Sequence, residues 1–237
     1  MNRWQVSIGI GVLVAGACAY AQLQSVGWKR IPGITVVSAE ADPRIGAVRE
    51  AVDFWNRTFS ELGSPFHLGQ LVMVSGSVPD TDIRALGRQV IDHTGSPTLP
   101  ESLKRFPGDL VIVLSDANFI SYTARRGERV IVAIKNGNLP PLTSPNVLRN
   151  VIAHELGHAV GLEHDDDPTL LMCGRPAPCR PDAFQSETPR FFPLSANERN
   201  RLLVLYPKNW MPQARITPAA ASCAGTPCSA DLNRGSP

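Results

Sequence analysis

Three of the five histidines in this 237-residue chain fall within one eleven-residue segment, HELGHAVGLEH. His154 and His158 are four positions apart, so a helix would place both imidazoles on one face. Two imidazoles in this arrangement can bind one tetrahedral zinc ion. Glu155 would lie beside such a metal without being a ligand. The pattern therefore predicts a metal site with an adjacent carboxylate, which is the arrangement that metal-assisted hydrolysis needs.

A third ligand is available just beyond the predicted end of this helix. Gly161 can adopt a positive φ, which would terminate the helix and turn the chain sharply. His164 follows three residues later and can return to the metal. Catalytic zinc sites usually have three protein ligands and leave the fourth position to water. A helix with incidental histidines is the alternative, but the combined pattern is rare by chance.

The elements that must position these residues follow from hydrophobic periodicity and from helix start and stop signals. Ser144 followed by Pro145 predicts the start of the helix that carries the histidines, and Gly161 predicts its end. Ser195 and Glu198 form a capping-box pattern at the start of a last helix. The remaining predictions are strands at 33–39, 67–76 and 109–116, two strands around a turn at 125–128, and helices at 42–62 and 82–91.

This order of elements predicts an α/β (α+β) domain with a mixed, twisted sheet of about five strands. It includes a long N-terminal helix, an active-site helix and a C-terminal helix. Residues 109–116 are almost continuously apolar, which is typical of a central strand covered on both faces. Residues 119–124 are expected at the sheet edge, where an extended peptide could pair with the strand.

The first 21 residues have the features of a secretory signal peptide. Arg3 precedes an apolar run, and residues 19–21 match an A-x-A cleavage pattern. The run is short for a membrane-spanning helix, which needs roughly 20 apolar residues. A secreted or periplasmic protein is expected, with an uncleaved membrane anchor as the alternative. Cys18 also suggests lipid attachment, although Ala15 stands where lipoprotein signals usually have Leu.

Composition narrows the classes of partner. The formal net charge of +2 and the scattered basic residues give no electrostatic reason to expect nucleic-acid binding. The hydrophobic fraction of 43% fits one globular domain of this length, expected to be a monomer. Residues 31–207 are assigned to this domain. Residues 208–237 are small, polar and rich in Pro and Ala, and they are expected to be a poorly ordered tail.

Four further cysteines could form disulfides in an oxidising compartment. Cys173 and Cys179 are one close couple, and Cys223 and Cys228 are another. Pairing within each couple is the simplest of three connectivities. Neither couple has C-x-x-C spacing, which argues against a separate cysteine zinc site. The loop that begins at Cys173 is expected to shape a substrate pocket.

The segment HELGHAVGLEH is similar to the long zinc signature of the metzincin metalloproteases, H-E-x-x-H-x-x-G-x-x-H. Those enzymes have a methionine in a turn below the zinc. Met172 stands eight residues after His164, a spacing that resembles the matrixin family. Matrixins also begin with a strand and a long helix and end with a helix. The resemblance covers residues 31–207 and implies a zinc metalloprotease, with the three histidines as ligands and Glu155 as the general base.

The sequence also departs from the matrixin pattern. Asp165 stands where matrixins usually have Ser after the third ligand. No histidine lies between His93 and His154, so the second, structural zinc of a typical matrixin is expected to be missing. His67 and His93 have no partners at metal-binding spacing. Residues 165–167 are interpreted as an acidic turn, so one catalytic Zn²⁺ is the predicted cofactor and Ca²⁺ has no sequence support.

The sequence thus predicts a zinc-dependent metalloendopeptidase that hydrolyses protein or peptide substrates. In this hypothesis zinc polarises a water molecule, and Glu155 accepts its proton and passes it to the leaving amine. One alternative is an exported, non-catalytic module that keeps zinc only for stability. A second is a metal hydrolase that acts on cell-wall peptide amides. Glu155 argues against the first alternative, because a structural zinc site would gain nothing from that carboxylate.

Overall fold

The computed structural model describes residues 27–92, 98–174 and 184–214 of the chain. Strands and helices alternate through most of this sequence, so that consecutive strands are joined by crossovers. In chain order the elements are β1 (Ile34–Ser38), α1 (Ile45–Glu61), β2 (Leu71–Ser75), α2 (Asp80–Ile91), α3 (Glu101–Lys104), β3 (Leu110–Leu114), β4 (Tyr122–Arg126), β5 (Arg129–Ile134), α4 (Pro145–Ala159) and α5 (Ala196–Leu205).

One five-stranded sheet organises these elements, with the strand order β2-β1-β3-β5-β4. The first four strands in this order are parallel to their neighbours, and β4 is antiparallel to β5. A short hairpin at Gly127 joins β4 and β5, and this glycine has the positive φ of 58° that the tight turn requires. The prediction of an α/β fold with a mixed five-stranded sheet is confirmed.

Helices cover both faces of the sheet. One apolar core lies between the sheet and α1, α4 and α5, and a smaller one lies between the opposite face and α2 and α3. β3 lies in the middle of the sheet and is buried at all five positions, as its apolar sequence predicts. Side chains of β3 alternate between the two cores, so this strand holds both helical layers together.

The long helix α1 supports the helix that carries the histidines. Trp55 is fully buried between α1 and α4, and its indole Nε1 donates a hydrogen bond to the carbonyl of Ala153 at 2.9 Å. Its ring also packs at the edge of Phe54. A buried indole needs a partner for its N–H, and here that partner lies next to a predicted metal ligand. Helix α1 therefore fixes the position of α4 by packing and by a directed hydrogen bond.

Several boundaries differ from the predictions. Helix α1 begins at Ile45, and Asp42 instead pairs with the buried Arg44 at 2.7 Å in the turn before the helix. The second strand is shorter than 67–76 because the side chain of Asn56 takes the hydrogen bonds of the Leu68 backbone. The short helix α3 was not predicted, because four residues are too few to show helical periodicity.

Helix α5 begins with the capping box that the sequence indicates. The hydroxyl of Ser195 accepts from the Glu198 N–H, and the Glu198 carboxylate accepts from the Ser195 N–H. The chain remains packed beyond residue 207: Trp210 contacts the ring of Phe66, and the Gln213 N–H donates to the Lys29 carbonyl at 2.7 Å. The packed part of the chain therefore extends into the segment that was assigned to a tail.

The predicted signal peptide at residues 1–21 lies outside the described residues. Within the described parts of the chain, no helix has the length and apolar character to cross a membrane.

Candidate metal centre

Helix α4 carries the first two histidines on its last turns and ends in a Schellman motif. The N–H of Leu162 donates to the Gly157 carbonyl at 2.9 Å, and the N–H of Gly161 donates to the His158 carbonyl at 3.0 Å. Gly161 has φ 99°, which is strained for residues with a side chain. Because of this turn, the chain reverses direction directly after the helix and brings His164 back toward it.

The three histidine rings meet at the end of α4. Their centroids are separated by 4.8 Å for His154 and His158, 5.3 Å for His154 and His164, and 4.6 Å for His158 and His164. One candidate ligand atom from each residue lies within 4.8 Å of the other two. Among the described residues, this is the one group of three or more potential ligands that converges in this way.

Backbone carbonyls fix the orientation of the two helical imidazoles. Nδ1 of His154 lies 2.8 Å from the Leu171 carbonyl, and Nδ1 of His158 lies 2.9 Å from the Leu162 carbonyl. A carbonyl can only accept, so each Nδ1 carries the proton and each Nε2 keeps a lone pair for a metal. Burial lowers the pKa of His154 to about 4 and the pKa of His158 well below its ordinary value. Both imidazoles are therefore neutral near pH 7, which is the form that binds a metal.

The turn at residues 165–174 holds the third histidine in place. The N–H of Asp165 donates to the Met172 carbonyl at 2.8 Å, and the N–H of Gly174 donates to the Asp165 carbonyl at 3.0 Å. This small ladder sets His164 beside Gly174, where a methyl group would overlap the imidazole ring. The turn therefore acts on two of the histidines: its backbone packs against His164, and its Leu171 carbonyl orients His154.

Met172 is fully buried next to the helix that carries two of the histidines. Its thioether packs directly against Gly157, the helix residue just before His158, and a side chain at that glycine would overlap the sulfur. Such a side chain would also come within 3.0 Å of the Trp55 indole. The methionine and the glycine are thus complementary in shape, and the packing of Met172 against α4 depends on both.

Glu155 lies beside the histidines with its carboxylate buried against the edge strand. The hydroxyl of Thr123, in β4, lies 2.8 Å from Oε2 of Glu155 and 2.7 Å from the Glu155 carbonyl. Burial raises the pKa of the Glu155 carboxyl to about 7, and the hydrogen bond from Thr123 partly opposes this rise. A carboxyl group that titrates near neutral pH is suited to accept and donate protons under physiological conditions.

The edge strand contacts the helix through two side chains on the same face. Thr123 hydrogen bonds to Glu155, and Arg125 donates to the Ala159 carbonyl at 2.7 Å. Residues two apart on a strand are separated by about 6.7 Å, close to the rise of about 6 Å over four helical residues. The two residues of β4 are therefore spaced so that both can reach the helix, one at Glu155 and the other at Ala159. Neither contact could be anticipated, because no local pattern links residues so far apart in sequence.

Of the other residues singled out in the sequence, Cys173 lies next to this cluster. Cys173 follows Met172 and is disulfide-bonded, so its sulfur is not a free thiolate that could bind metal. Cys179, Cys223 and Cys228 lie outside the described residues, so the pairing stays a prediction. His67 is exposed in the loop between α1 and β2, where its Nδ1 lies 3.3 Å from the Pro65 carbonyl. His93 also lies outside the described residues.

The acidic residues after His164 form a structured turn. The carboxylate of Asp165 accepts from the Asp167 N–H at 2.9 Å, and the carboxylate of Asp167 accepts from the N–H and hydroxyl of Thr169. These hydrogen bonds lower the pKa of Asp167. The carboxylates thus stabilise the backbone of the loop that connects His164 to Met172.

The donor set suits a zinc ion. Zn–N bonds of about 2.0–2.1 Å place tetrahedral nitrogen ligands about 3.4 Å apart, and one candidate atom of each histidine lies within 4.8 Å of the other two. The ligands are neutral imidazoles, and His164 is the most exposed of the three, so the site opens to solvent on that side. The histidine triad can therefore bind zinc through three protein ligands.

Comparisons with known proteins add a distant structural likeness. No protein-family model matches the sequence, and no curated protein matches it. Among solved structures, the fold is similar to that of archaemetzincin from Methanopyrus kandleri, with a TM-score of 0.44 and 19% sequence identity. That match covers 75% of this chain and 96% of the archaemetzincin chain. The likeness is too distant to assign residue roles, so the role of each side chain follows from the geometry of the site itself.

Proposed function

We propose that this protein is a zinc-dependent metalloendopeptidase of the metzincin class. The observation that carries the proposal is the convergence of His154, His158 and His164 beside the buried carboxylate of Glu155. The two Nδ1 hydrogen bonds favour metal binding through Nε2, and Met172 packs against Gly157, the residue before His158. The methionine turn and the signature around the histidines further favour a matrixin-like enzyme.

Peptide hydrolysis at this site would require a metal ion, a general base and groups that orient the histidines. Zinc at this site would supply a Lewis acid that stabilises negative charge on the scissile carbonyl oxygen and lowers the pKa of water. Glu155 accepts a proton from the attacking water and delivers it to the leaving nitrogen, and its burial beside the histidines raises the pKa of its carboxyl in the direction that this proton transfer needs. The carbonyls of Leu171 and Leu162 hold the imidazoles in the required tautomer throughout.

Strand β4 offers a binding edge for a peptide. It is the last strand of the sheet, and its partner β5 occupies only one of its two edges. An extended peptide could add to the free edge by main-chain hydrogen bonds, a common mode of peptide recognition. Thr123 links this strand to the Glu155 carboxylate, so a peptide bound there would lie close to the general base.

Export is part of the same proposal. The N-terminal signal favours a secreted or periplasmic monomer, and the disulfide at Cys173 fits an oxidising compartment. Two other functions would use the same residues: a zinc-stabilised module without activity, and a hydrolase of cell-wall peptide amides. The burial and raised pKa of Glu155 favour an enzyme over the module, since they cost stability without helping to bind the metal.

The Glu155→Ala variant tests the proposal. We expect hydrolysis of an unstructured protein such as casein to fall by about 10²–10⁴-fold, because the general base is lost. Zinc content should remain at one ion per chain, because the three histidines are unchanged. Activity is measured with and without a chelator, and on cell-wall peptides in parallel. Full activity of the variant would contradict the role of Glu155, and hydrolysis of cell-wall peptides alone would favour the second alternative.

A further inference from the structure

The hydroxyl of Thr123, on the edge strand β4, donates a hydrogen bond to the carboxylate of Glu155. The hydroxyl lies 2.8 Å from Oε2, and the contact joins residues 32 positions apart in the chain. The same hydroxyl lies 2.7 Å from the Glu155 carbonyl. The carboxylate is withdrawn from bulk water, since Glu155 is only 6% exposed, whereas Thr123 is half-buried.

A hydroxyl has one hydrogen to donate, so Thr123 cannot donate to both Glu155 oxygens at once. When the carboxylate is ionised, it is the stronger acceptor and takes the hydrogen bond. The contact then immobilises a side chain that otherwise has several rotatable bonds. It also distinguishes the two carboxylate oxygens, because Oε2 is engaged by the threonine and Oε1 is not.

We propose that Thr123 is the positioning residue of the general base: its hydroxyl holds Oε2 of Glu155 against the edge strand, so that Oε1 exchanges the proton with water and the leaving group. This inference rests on the proposed function. It links the strand expected to bind the peptide with the group that moves the proton. Strand β4 would then fix the position of both the bound peptide and the Glu155 carboxylate.

The kinetic test compares Thr123→Val with Thr123→Ser. Valine keeps the shape but removes the hydroxyl, and misplacement of the base should lower kcat by about 10–100-fold. KM should change by less than about threefold, because the carboxylate is not a substrate-binding group. Serine restores the hydroxyl and should return kcat to within about threefold of the wild type. A Thr123→Val enzyme with unchanged kcat, or a Ser variant as slow as the Val variant, would overturn the inference.

A double-mutant cycle on stability tests the same contact without substrate. Thr123→Val should lower the thermal unfolding midpoint of the metal-free protein more in the wild-type background than in Glu155→Ala, where there is no carboxylate to leave unpaired. Arg125→Met is the matched control, because Arg125 contacts the helix one turn further on, at Ala159. Its effect should be the same in both backgrounds.

The cycle separates the two possible failures. Equal effects of Thr123→Val in both backgrounds would contradict the hydrogen bond and therefore the inference. A wild type that hydrolyses no peptide, yet shows the coupling, would contradict the proposed function while supporting the contact. Zinc content should stay at one ion per chain in both Thr123 variants, and loss of zinc from them would contradict a role limited to Glu155.

Discussion

Gly174 has no side chain, and the imidazole of His164 lies directly against its backbone. His164 is the most exposed of the three histidines, and it is the one ligand that is not part of a helix. Its position therefore depends on the surrounding turn rather than on helical geometry. At the scale of single residues, a glycine outside any motif is as important to the site as a ligand.

Replacing Gly174 with Ala should weaken metal binding. The new methyl group would overlap the ring of His164, so the ring would have to move away from the other two histidines. We expect the zinc affinity to fall by about 10–100-fold, as is common when the support of a ligand is changed. Competition with a chromophoric chelator measures this affinity.

Gly46→Ala is the matched control, because an added methyl at Gly46 would meet no atom within 4 Å. It lies in α1, where alanine is favoured over glycine, so stability should be unchanged or slightly higher. Zinc affinity should be that of the wild type. Equal affinities for Gly174→Ala and Gly46→Ala would contradict the support of His164 by the turn.

The clustering of the three histidines could be predicted from sequence, whereas the groups that support them could not. His154 and His158 are predictable because the spacing of side chains along a helix is fixed by its geometry. The contacts of Gly174 with His164 and of Thr123 with Glu155 form only when distant segments fold together. No periodicity or motif marks them, so the sequence alone contains no local signal for either.

At the scale of elements, α4 anchors residues 184–192, the segment that precedes α5. Asn146 and Asn150 are buried one turn apart on this helix. The Asn146 amide donates to the Phe184 carbonyl at 2.8 Å, while Asn150 donates to the Arg190 carbonyl and accepts from the Phe192 N–H, both at 2.9 Å. The two side chains form hydrogen bonds with backbone N–H and carbonyl groups of this segment, as a neighbouring strand would. The segment itself has no regular secondary structure that could supply these bonds.

Asn150→Ala should destabilise the fold. The substitution removes the partner of the buried Phe192 N–H and of the part-buried Arg190 carbonyl, which we expect to cost about 1–3 kcal/mol. Urea unfolding of the metal-free protein measures the loss. Asn138→Ala, at an exposed position, is the control and should change stability by less than about 0.5 kcal/mol. If Asn150→Ala lowers the free energy of unfolding no more than Asn138→Ala does, the hydrogen bonds of Asn150 contribute nothing to stability.

The sequence predicted the elements that carry strong local signals more accurately than the others. Helix α4 and the central strand β3 were predicted because one has clear start and stop signals and the other is uniformly apolar. The second strand was predicted too long because Asn56, in another element, competes for its backbone hydrogen bonds. Such competition depends on tertiary structure and leaves no trace in local periodicity.

At the scale of the whole molecule, the metal site connects both ends of the domain. His154 and His158 lie on α4, which packs against α1 through Trp55. The loop that follows His164 is tied to the segment before α5, because the Leu171 N–H donates to the Pro193 carbonyl at 2.9 Å. Binding of a metal to this arrangement should stabilise the entire fold, because the unfolded chain does not hold the three imidazoles together.

Removal of the metal should therefore lower the thermal unfolding midpoint. At free zinc about 1,000 times the dissociation constant, binding stabilises the folded state by about 4 kcal/mol, which corresponds to on the order of 10 °C for a domain of this size. Calorimetry with and without a chelator measures the shift. His158→Ala should lose this response, whereas His67→Ala, at an exposed site, should keep it. An equal response in all three proteins would place the metal elsewhere.

X-ray absorption at the zinc edge of the full chain tests the central claim most directly. We expect one zinc per chain with three imidazole nitrogens and one exchangeable oxygen, all at about 2.0–2.1 Å. Glu155→Ala should give the same set of zinc ligands, because the carboxylate is not a ligand. A sulfur ligand at about 2.3 Å, or a fourth permanent protein ligand, would contradict the proposed site and the hydrolysis that depends on it.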